Sequence, residues 1–138
     1  MAATGRHGTR RLLVQALYQH QLAGHTETEL VAQFSDQKDF EKVDGKYFRQ
    51  LLAEILADAP GLDALIATDA DRPVKQLDPV EHGILWLGLA ELRWHPEVPV
   101  KVVITESVQL AKEFGAQDGH RYINALLDRL STKFRPAA

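Results

Sequence analysis

The residues DPVEHGILWLGLAELRWHP, at positions 78–96, contain the clearest helix signal of the chain. Asp78 has the side chain of an N-cap residue, and Pro79 falls at the first helical position, where its missing N–H costs no hydrogen bond. Apolar residues then recur with helical spacing until Pro96, which cannot continue a helix. We expect this helix to bury four side chains in a core: Ile84, Leu85, Leu87 and Leu92.

Helical periodicity continues on both sides of this stretch. Toward the C-terminus it predicts helices over 99–115 and 118–133. Toward the N-terminus it predicts a helix over 9–22 that Gly24 ends, one that begins with a capping box of Thr26 and Glu29, and further helices over 44–58 and 62–68. The β-branched run 98–104 resembles a strand, but the pattern continues beyond it and favours a helix. The chain is therefore predicted to be all-α, with seven helices in a compact bundle.

Composition indicates one domain over residues 1–138, with flexible ends at 1–8 and 135–138. The chain has 138 residues, of which 45% are hydrophobic and 25% charged, as in ordinary globular proteins. It contains no cysteine, which excludes disulfides and thiolate chemistry. No apolar run is long enough to span a membrane, and no signal peptide is visible, so we expect a cytoplasmic protein.

The sequence contains no recognisable active site. The six histidines show no metal-ligand spacing, and no glycine loop for phosphate is present. Ser107 lacks the context of a catalytic nucleophile. Asp118 and His120 are interpreted as an N-cap and a surface histidine, and Gly83 and Gly88 as sites of close helix packing. We therefore expect no enzyme activity, no cofactor and no metal.

Charge is distributed unevenly, although the net charge is only −3. Residues 1–26 carry three arginines and no acid, whereas residues 27–71 carry eleven acids against four bases. A basic end beside an acidic middle suits two different partners. Random variation of surface charge is the alternative explanation.

The first and last helices bring cations and phenol rings together. At 100° per residue, Arg10 and Gln21 lie about 20° apart on the first helix, and so do Arg11 and Tyr18. The last helix begins close to Arg121 and Tyr122. Arginine binds phosphate and tyrosine stacks on unpaired bases, so this strip suggests single-stranded RNA. The alternative is that the rings cover the core edge and the arginines are ordinary surface charge.

Two stretches resemble the NusB family of transcription antitermination factors. One is Val14-Gln15-Ala16-Leu17-Tyr18, after the arginines. The other comprises Val80-Glu81, Ile84-Leu85, Leu89-Ala90-Glu91-Leu92, the block 98–104, Leu110-Ala111-Lys112, Phe114-Gly115, Asp118, Tyr122-Ile123-Asn124 and Leu127-Asp128. Asp44 and Tyr47-Phe48 also match, so the similarity covers nearly the whole chain in order.

The resemblance implies a fold, a function and partners. The fold would be seven helices in two packed helical subdomains. The function would be antitermination through boxA-type single-stranded RNA of ribosomal RNA leaders, bound together with the ribosomal protein NusE in a complex on RNA polymerase. By matching positions, the implied RNA contacts are Arg6, Arg10, Arg11, Tyr18, Gln21, Lys101, Asp118, Arg121 and Tyr122. The implied NusE face contains Val74, Asp78 and, above all, Glu81.

Departures from the family pattern concern the site more than the core. His7 and Gly8 interrupt the usual arginine run, and Trp86 stands where arginine is common; we expect Trp86 in the core. Because Asp118 would repel phosphate, we interpret it as the cap of the last helix or an acceptor from a base amine. Two other functions stay open: an RNA-binding module without antitermination activity, as in a domain of certain ribosomal RNA cytosine methyltransferases, and a self-associating structural protein such as a homodimer.

Overall fold

The computed structural model describes residues 5–115 and 118–136. Their regular structure is helical, apart from one isolated bridge between Gly5 and Val43. The seven α-helices are α1 (Gly5–Ala23), α2 (Glu27–Ser35), α3 (Gly45–Ala57), α4 (Ala59–Asp69), α5 (Pro79–Trp94), α6 (Val100–Phe114) and α7 (Gly119–Ser131). The predicted all-α fold with seven helices is confirmed.

Local sequence signals set most helix boundaries. The Thr26 hydroxyl accepts from the N–H of Glu29, and the Glu29 carboxylate accepts from the N–H of Thr26, which is the predicted capping box. Asp78 accepts from two N–H groups of the first turn of α5. Gly24 ends α1 with a φ of +72°, a conformation that costs little only in glycine. These boundaries were predictable because each depends on residues close in sequence.

Three features differ from the sequence prediction. Helix α1 begins at Gly5 rather than at position 9, so residues 5–8 form its first turn. Helix α4 is longer than predicted because Pro60 lies inside its first turn, where proline is tolerated. Short 3₁₀ turns at Phe40–Lys42 and Val74–Gln76 were not predicted. The remaining residues of the two ends that we expected to be flexible, 1–4 and 137–138, lie outside the described residues.

Helix α5 lies at the centre of the bundle. It packs against α1 and α3, which contact each other and α2, and against α4, α6 and α7, of which α7 contacts both others. This arrangement agrees with two packed helical groups. All ten residues of the segment 83–92 are buried, although a typical surface helix buries only one face.

The predicted core is largely confirmed. The four core positions expected on α5 are fully or almost fully buried, and so are the apolar positions of α3 and α7. His20 and Val108, which helical periodicity also predicts to be in the core, are only half-buried. Gly88 allows the close packing that we expected, because a Cβ there would lie 2.9 Å from Leu127 Cδ1 and 3.2 Å from Ser107 Oγ.

Candidate nucleic-acid interface

An open apolar groove separates the second half of α1 from the end of α6 and the start of α5. Its volume is about 420 Å³. Tyr18 forms part of its wall with 41% of its surface exposed, which is unusual for so large an apolar ring. The groove therefore offers a flat aromatic surface to solvent. The residues that line it are Val14, Gln15, Tyr18, Gln19, Val80 and Phe114.

Arg11 lies at the edge of this groove. Its guanidinium carbon is 5.4 Å from the centre of the Phe114 ring, and its Nε donates to Glu113 at 2.8 Å. About a third of each charged side chain is exposed. Arg11 is thus accessible to a phosphate, but Glu113 competes with the phosphate for the Arg11 guanidinium.

The prediction that Arg10 shows its charge to water is wrong. Arg10 is only 4% exposed, and it donates three hydrogen bonds to Glu91, at 2.8, 3.1 and 3.2 Å. It also contacts Glu106 at 3.3 Å, and Tyr47 donates its hydroxyl to Glu91. The reason is that this face of α1 meets α5, where Glu91 is buried and needs a cation. Arg10 is therefore a structural residue and is removed from the proposed RNA contacts.

Gln21 shares that inward side of α1. Its amide nitrogen donates to the Pro79 carbonyl at 2.8 Å and to the Leu17 carbonyl at 3.3 Å. The expectation that this amide N–H group faces water is therefore wrong. Gln21 instead ties the end of α1 to the start of α5, beside the groove.

The remaining basic groups at the start of α1 are also paired. The Arg6 guanidinium lies 3.9 Å from the centre of the Tyr47 ring and 3.7 Å from Asp44. His7 Nδ1 lies 2.8 Å from Glu106 and its Nε2 3.7 Å from Glu113. Acids of α6 thus neutralise much of the basic end that the sequence suggested.

Lys101 lies at the opposite end of α6 from Phe114. It is exposed, beside a shallow depression that it shares with Thr105 and Glu106. At 1.5 Å per residue the two positions are about 20 Å apart along the helix. Lys101 and the groove therefore lie near opposite ends of α6.

The start of α7 lies beside the start of α5, on the same side of the molecule as the end of α1. Arg121 is exposed. Tyr122 is half-buried, with its hydroxyl enclosed and without a hydrogen-bond partner among the described residues. The Arg72 guanidinium carbon lies 4.5 Å from the centre of its ring. Burial raises the pKa of the Tyr122 hydroxyl, so this group stays protonated at neutral pH.

Asp118 occupies the N-cap position of α7, but its side chain makes no capping hydrogen bond. The interpretation of Asp118 as the cap of this helix is therefore wrong. Its side chain is exposed and stays available to a ligand.

The proposed partner face at the start of α5 is only partly exposed. Asp78 is exposed and Val74 half-buried. Glu81, by contrast, is only 6% exposed. Burial, followed by the charge of Asp78, raises the pKa of the Glu81 carboxyl. The expectation that Glu81 is the main residue of an exposed docking face is wrong, because α7 packs over it.

Trp86 is buried, as expected. It is 4% exposed, and its indole N–H donates to Asp63 at 2.8 Å, so the ring belongs to the core. Within residues 5–115 and 118–136 no group of three potential ligands could hold a metal ion. No helix in the same ranges is long and apolar enough to cross a membrane.

Sequence reasoning missed the acids that pair with the arginines. Glu106 and Glu113 are seven residues apart, which places them on one face of α6 two turns from each other. Glu91 interrupts an apolar helix, which signals a buried ion pair because a lone carboxylate is rarely buried. Both patterns were visible, but neither identifies the partner arginine.

The fold and the groove beside Tyr18 define a small all-α binding protein rather than a catalyst. A model of the NusB family matches residues 7–132, and the chain belongs to this family. The transcription antitermination protein NusB of Nitrosospira multiformis is 45% identical over 128 residues, covering 93% of this chain and 81% of that protein. The protein of the same name from Alcanivorax borkumensis is 44% identical over 134 residues, covering 97% and 89%.

Solved structures share the fold. NusB from T. maritima superposes with a TM-score of 0.84 at 23% identity, covering 99% of this chain and 96% of that one. A chain from the crystal structure of antitermination factors NusB and NusE in complex with double-stranded RNA gives 0.81 at 22% identity, covering 94% and 97%. The family consists of transcription antitermination factors, so the prediction of a non-enzymatic protein is confirmed.

Proposed function

We propose that this protein is a transcription antitermination factor. It binds boxA-type single-stranded RNA of ribosomal RNA leaders together with the ribosomal protein NusE, within an antitermination complex on RNA polymerase in the bacterial cytoplasm. The names of the relatives support the proposal. Binding of NusE and of RNA is also supported by the complex in which a structural neighbour was solved, which contains NusE and double-stranded RNA. We treat residues 1–138 as one RNA-binding domain.

The observation that carries the proposal is the groove beside Tyr18. An unstacked base can lie on the exposed ring, while Arg11 at the groove edge takes a phosphate. Base–aromatic stacking contributes about 1–3 kcal/mol per base. We therefore assign base contact to Tyr18 and, on α7, to Tyr122. Backbone contacts are assigned to Arg11, Lys101 and Arg121, with Arg6 at the far end.

The ion pairs limit the affinity of the protein alone. Arg11 must leave Glu113, and Arg6 must leave Asp44, before either can bind a phosphate. Each exchange gives back part of the energy that a phosphate contact supplies. Few phosphates are then neutralised, so binding should be modest and only moderately dependent on salt.

A protein partner compensates for that weakness. We propose that NusE docks on the exposed start of α5, around Val74 and Asp78, and contributes its own contacts to the same RNA. Because α5 begins between the RNA-binding parts of α1 and α7, NusE and RNA would be neighbours on one surface. By linkage, each would raise the affinity of the other.

The test is a titration of fluorescently labelled boxA RNA with the protein, with NusE, and with both. We expect the pair to bind more tightly than either protein alone, and a shuffled RNA to bind less tightly than boxA. Tyr18→Ala should weaken binding about five- to hundredfold. Leu22→Ala is the matched control, because Leu22 is an exposed side chain of α1 outside the groove.

Two results would contradict the proposal. Equal affinities with and without NusE would remove the coupled mechanism. A stable homodimer in light scattering, combined with no measurable affinity for boxA RNA, would favour a structural, self-associating protein.

A further inference from the structure

A second, smaller cavity lies between the first half of α1 and the segment that joins α2 to α3. Its volume is about 130 Å³. Its inner lining is apolar and includes the half-buried Leu12 and Val43 and the buried ring of Phe40. A site for a drug-sized molecule typically has about 300–1,000 Å³. This cavity therefore has room for a single ring system rather than for a whole cofactor.

Polar side chains form the outer rim of the cavity. Gln37 and Asp39 are exposed, and Arg11 is half-buried. The side-chain amide of Gln37 makes no hydrogen bond within the described ranges 5–115 and 118–136. Asp39 holds the N-cap position of the 3₁₀ turn without a capping hydrogen bond, and it pairs with Lys42 at 3.3 Å where both side chains are half exposed. Both polar groups are therefore available to a ligand.

An apolar lining with a polar rim matches an unpaired nucleobase. The faces of a base are apolar, whereas its edges carry the donors and acceptors by which single-stranded RNA is read. A carboxylate only accepts hydrogen bonds, while an amide both donates and accepts. Asp39 therefore favours bases whose exocyclic amino group donates, which are adenine, cytosine and guanine, over uracil, which has none.

Arg11 connects this cavity with the groove beside Tyr18. It lines the cavity, and its guanidinium carbon lies 5.4 Å from the centre of the Phe114 ring, which lines the groove. The α1 residues of the two sites are about six positions apart, which is about 9 Å along the helix axis. Stacked bases of one strand are only about 3.4 Å apart. Bases that are unstacked from each other therefore span both sites, with a phosphate between them at Arg11.

We propose that this cavity binds a second base of the RNA, about one or two nucleotides from the base on Tyr18, and that Gln37 and Asp39 select a base with an exocyclic amino group. The inference rests on the proposed RNA-binding function and adds to it a source of sequence discrimination. The ring of Tyr18 does not supply this discrimination, because every base has a face that stacks.

Replacing Asp39 by alanine separates base recognition from simple charge. If Asp39 were only an acid near the RNA, its removal would lessen the repulsion of phosphate and tighten binding. Because it accepts from a base, we expect Asp39→Ala to weaken binding of boxA RNA about tenfold. Gln37→Ala should weaken it about threefold, since a neutral hydrogen bond contributes less.

Asp36→Ala is the matched control. Asp36 is an exposed acid of the same segment, but it lies outside the cavity. We expect this variant to bind boxA RNA as tightly as the wild type or slightly more tightly. Asp39→Ala should fold like the wild type, because Asp39 makes no cap and exposed ion pairs contribute little to stability.

A panel of RNAs identifies the base that is read. Each adenosine, cytidine or guanosine of boxA is replaced in turn by uridine, and each RNA is titrated without NusE. We expect the wild type to lose about tenfold at one position. Asp39→Ala should lose less than about twofold there, because the group that reads the amino group is already absent. Tyr18→Ala should bind more weakly overall and keep the discrimination at that position.

Each outcome decides for or against the inference. If the wild type binds boxA RNA and Asp39→Ala binds the whole panel equally well or more tightly, the cavity does not read a base. If the discrimination at one position survives in both Asp39→Ala and Gln37→Ala, another part of the protein reads that base and the inference is wrong. If the wild type binds no boxA RNA with or without NusE, the proposed function fails and this inference fails with it.

Discussion

Replacing Arg10 by methionine should destabilise the protein strongly, although the position resembles a surface arginine in the sequence. Arg10 is 4% exposed and donates three hydrogen bonds to Glu91, which is 1% exposed. After Arg10→Met, Tyr47 is the remaining donor to this carboxylate among the described residues. Removing one partner of a buried ion pair costs about 3–5 kcal/mol, because the other charge stays buried.

A loss of this size is a large part of the stability of a domain, which is typically about 5–15 kcal/mol. The assay is urea unfolding followed by circular dichroism. Arg11→Met is the matched control: the neighbouring arginine pairs with Glu113 at 2.8 Å, but both side chains are about a third exposed. Such a pair contributes about 0–1 kcal/mol.

The combined variant Arg10→Met, Glu91→Leu and Tyr47→Phe removes the charges and the hydroxyl together. It should recover much of the lost stability, because apolar replacements of similar volume often substitute well for a buried ion pair. If Arg10→Met and Arg11→Met unfold at the same urea concentration, the buried network does not carry the stability that we assign to it.

Three further predictions concern single side chains. Glu113→Gln should raise RNA affinity about two- to fivefold, because it releases Arg11 for a phosphate. The slope of log affinity against log salt concentration should steepen by about 0.7. Weaker binding would show that Glu113 does not compete with RNA phosphate for Arg11. Tyr122→Ala should cost about 1–3 kcal/mol of RNA binding with the helical circular dichroism signal retained, and an unchanged affinity would leave the ring a structural role. Burial raises the pKa of Glu81 above its ordinary value of 4.5, so the folded state binds this proton more tightly than the unfolded state does. The free energy of unfolding of the wild type, measured by urea titration, should therefore fall relative to that of Glu81→Gln as pH rises from about 4.5 to 7. If the two free energies change in parallel with pH, the pKa of Glu81 is not raised by folding.

Helix boundaries could be read from the sequence because their causes are local. The box of Thr26 and Glu29 and the cap at Asp78 each need residues within three positions. Proline at the first helical position and glycine after the last residue act equally locally. The same logic did not find the 3₁₀ turn at Val74–Gln76, whose residues carry no cap or turn signal that identifies it.

The site was only partly predictable because a helical wheel gives the angle of each side chain about the helix axis. It does not show which neighbouring helix packs against each face. The angles on α1 correctly grouped Arg10 with Gln21 and Arg11 with Tyr18. The first pair faces α5 and is used inside the protein. Of the second pair, Tyr18 lines the groove and Arg11 lies against Phe114 at the groove edge. What separates them is Glu91, which is 81 residues from Arg10 in sequence.

Glu81 illustrates the same limit. In sequence it is an ordinary acid in the first turn of a helix, where solvation is the usual state. Its burial depends on α7 crossing over it, and on a glycine at position 119 that permits the approach. The sequence shows the glycine, but its contact with Glu81 depends on the packing of two helices that are distant in sequence.

The enclosure of α5 has a consequence for the protein as a whole. Because ten consecutive residues of this helix are covered by neighbours from both earlier and later parts of the chain, neither part holds a complete interior of its own. If the chain were divided before α5, helices α1–α4 would lose the apolar surface of α5 on which they pack. Helices α5–α7 would in turn expose the part of α5 that α1, α3 and α4 cover. We therefore expect thermal unfolding to be one cooperative transition, in which helices α1–α4 and helices α5–α7 unfold together.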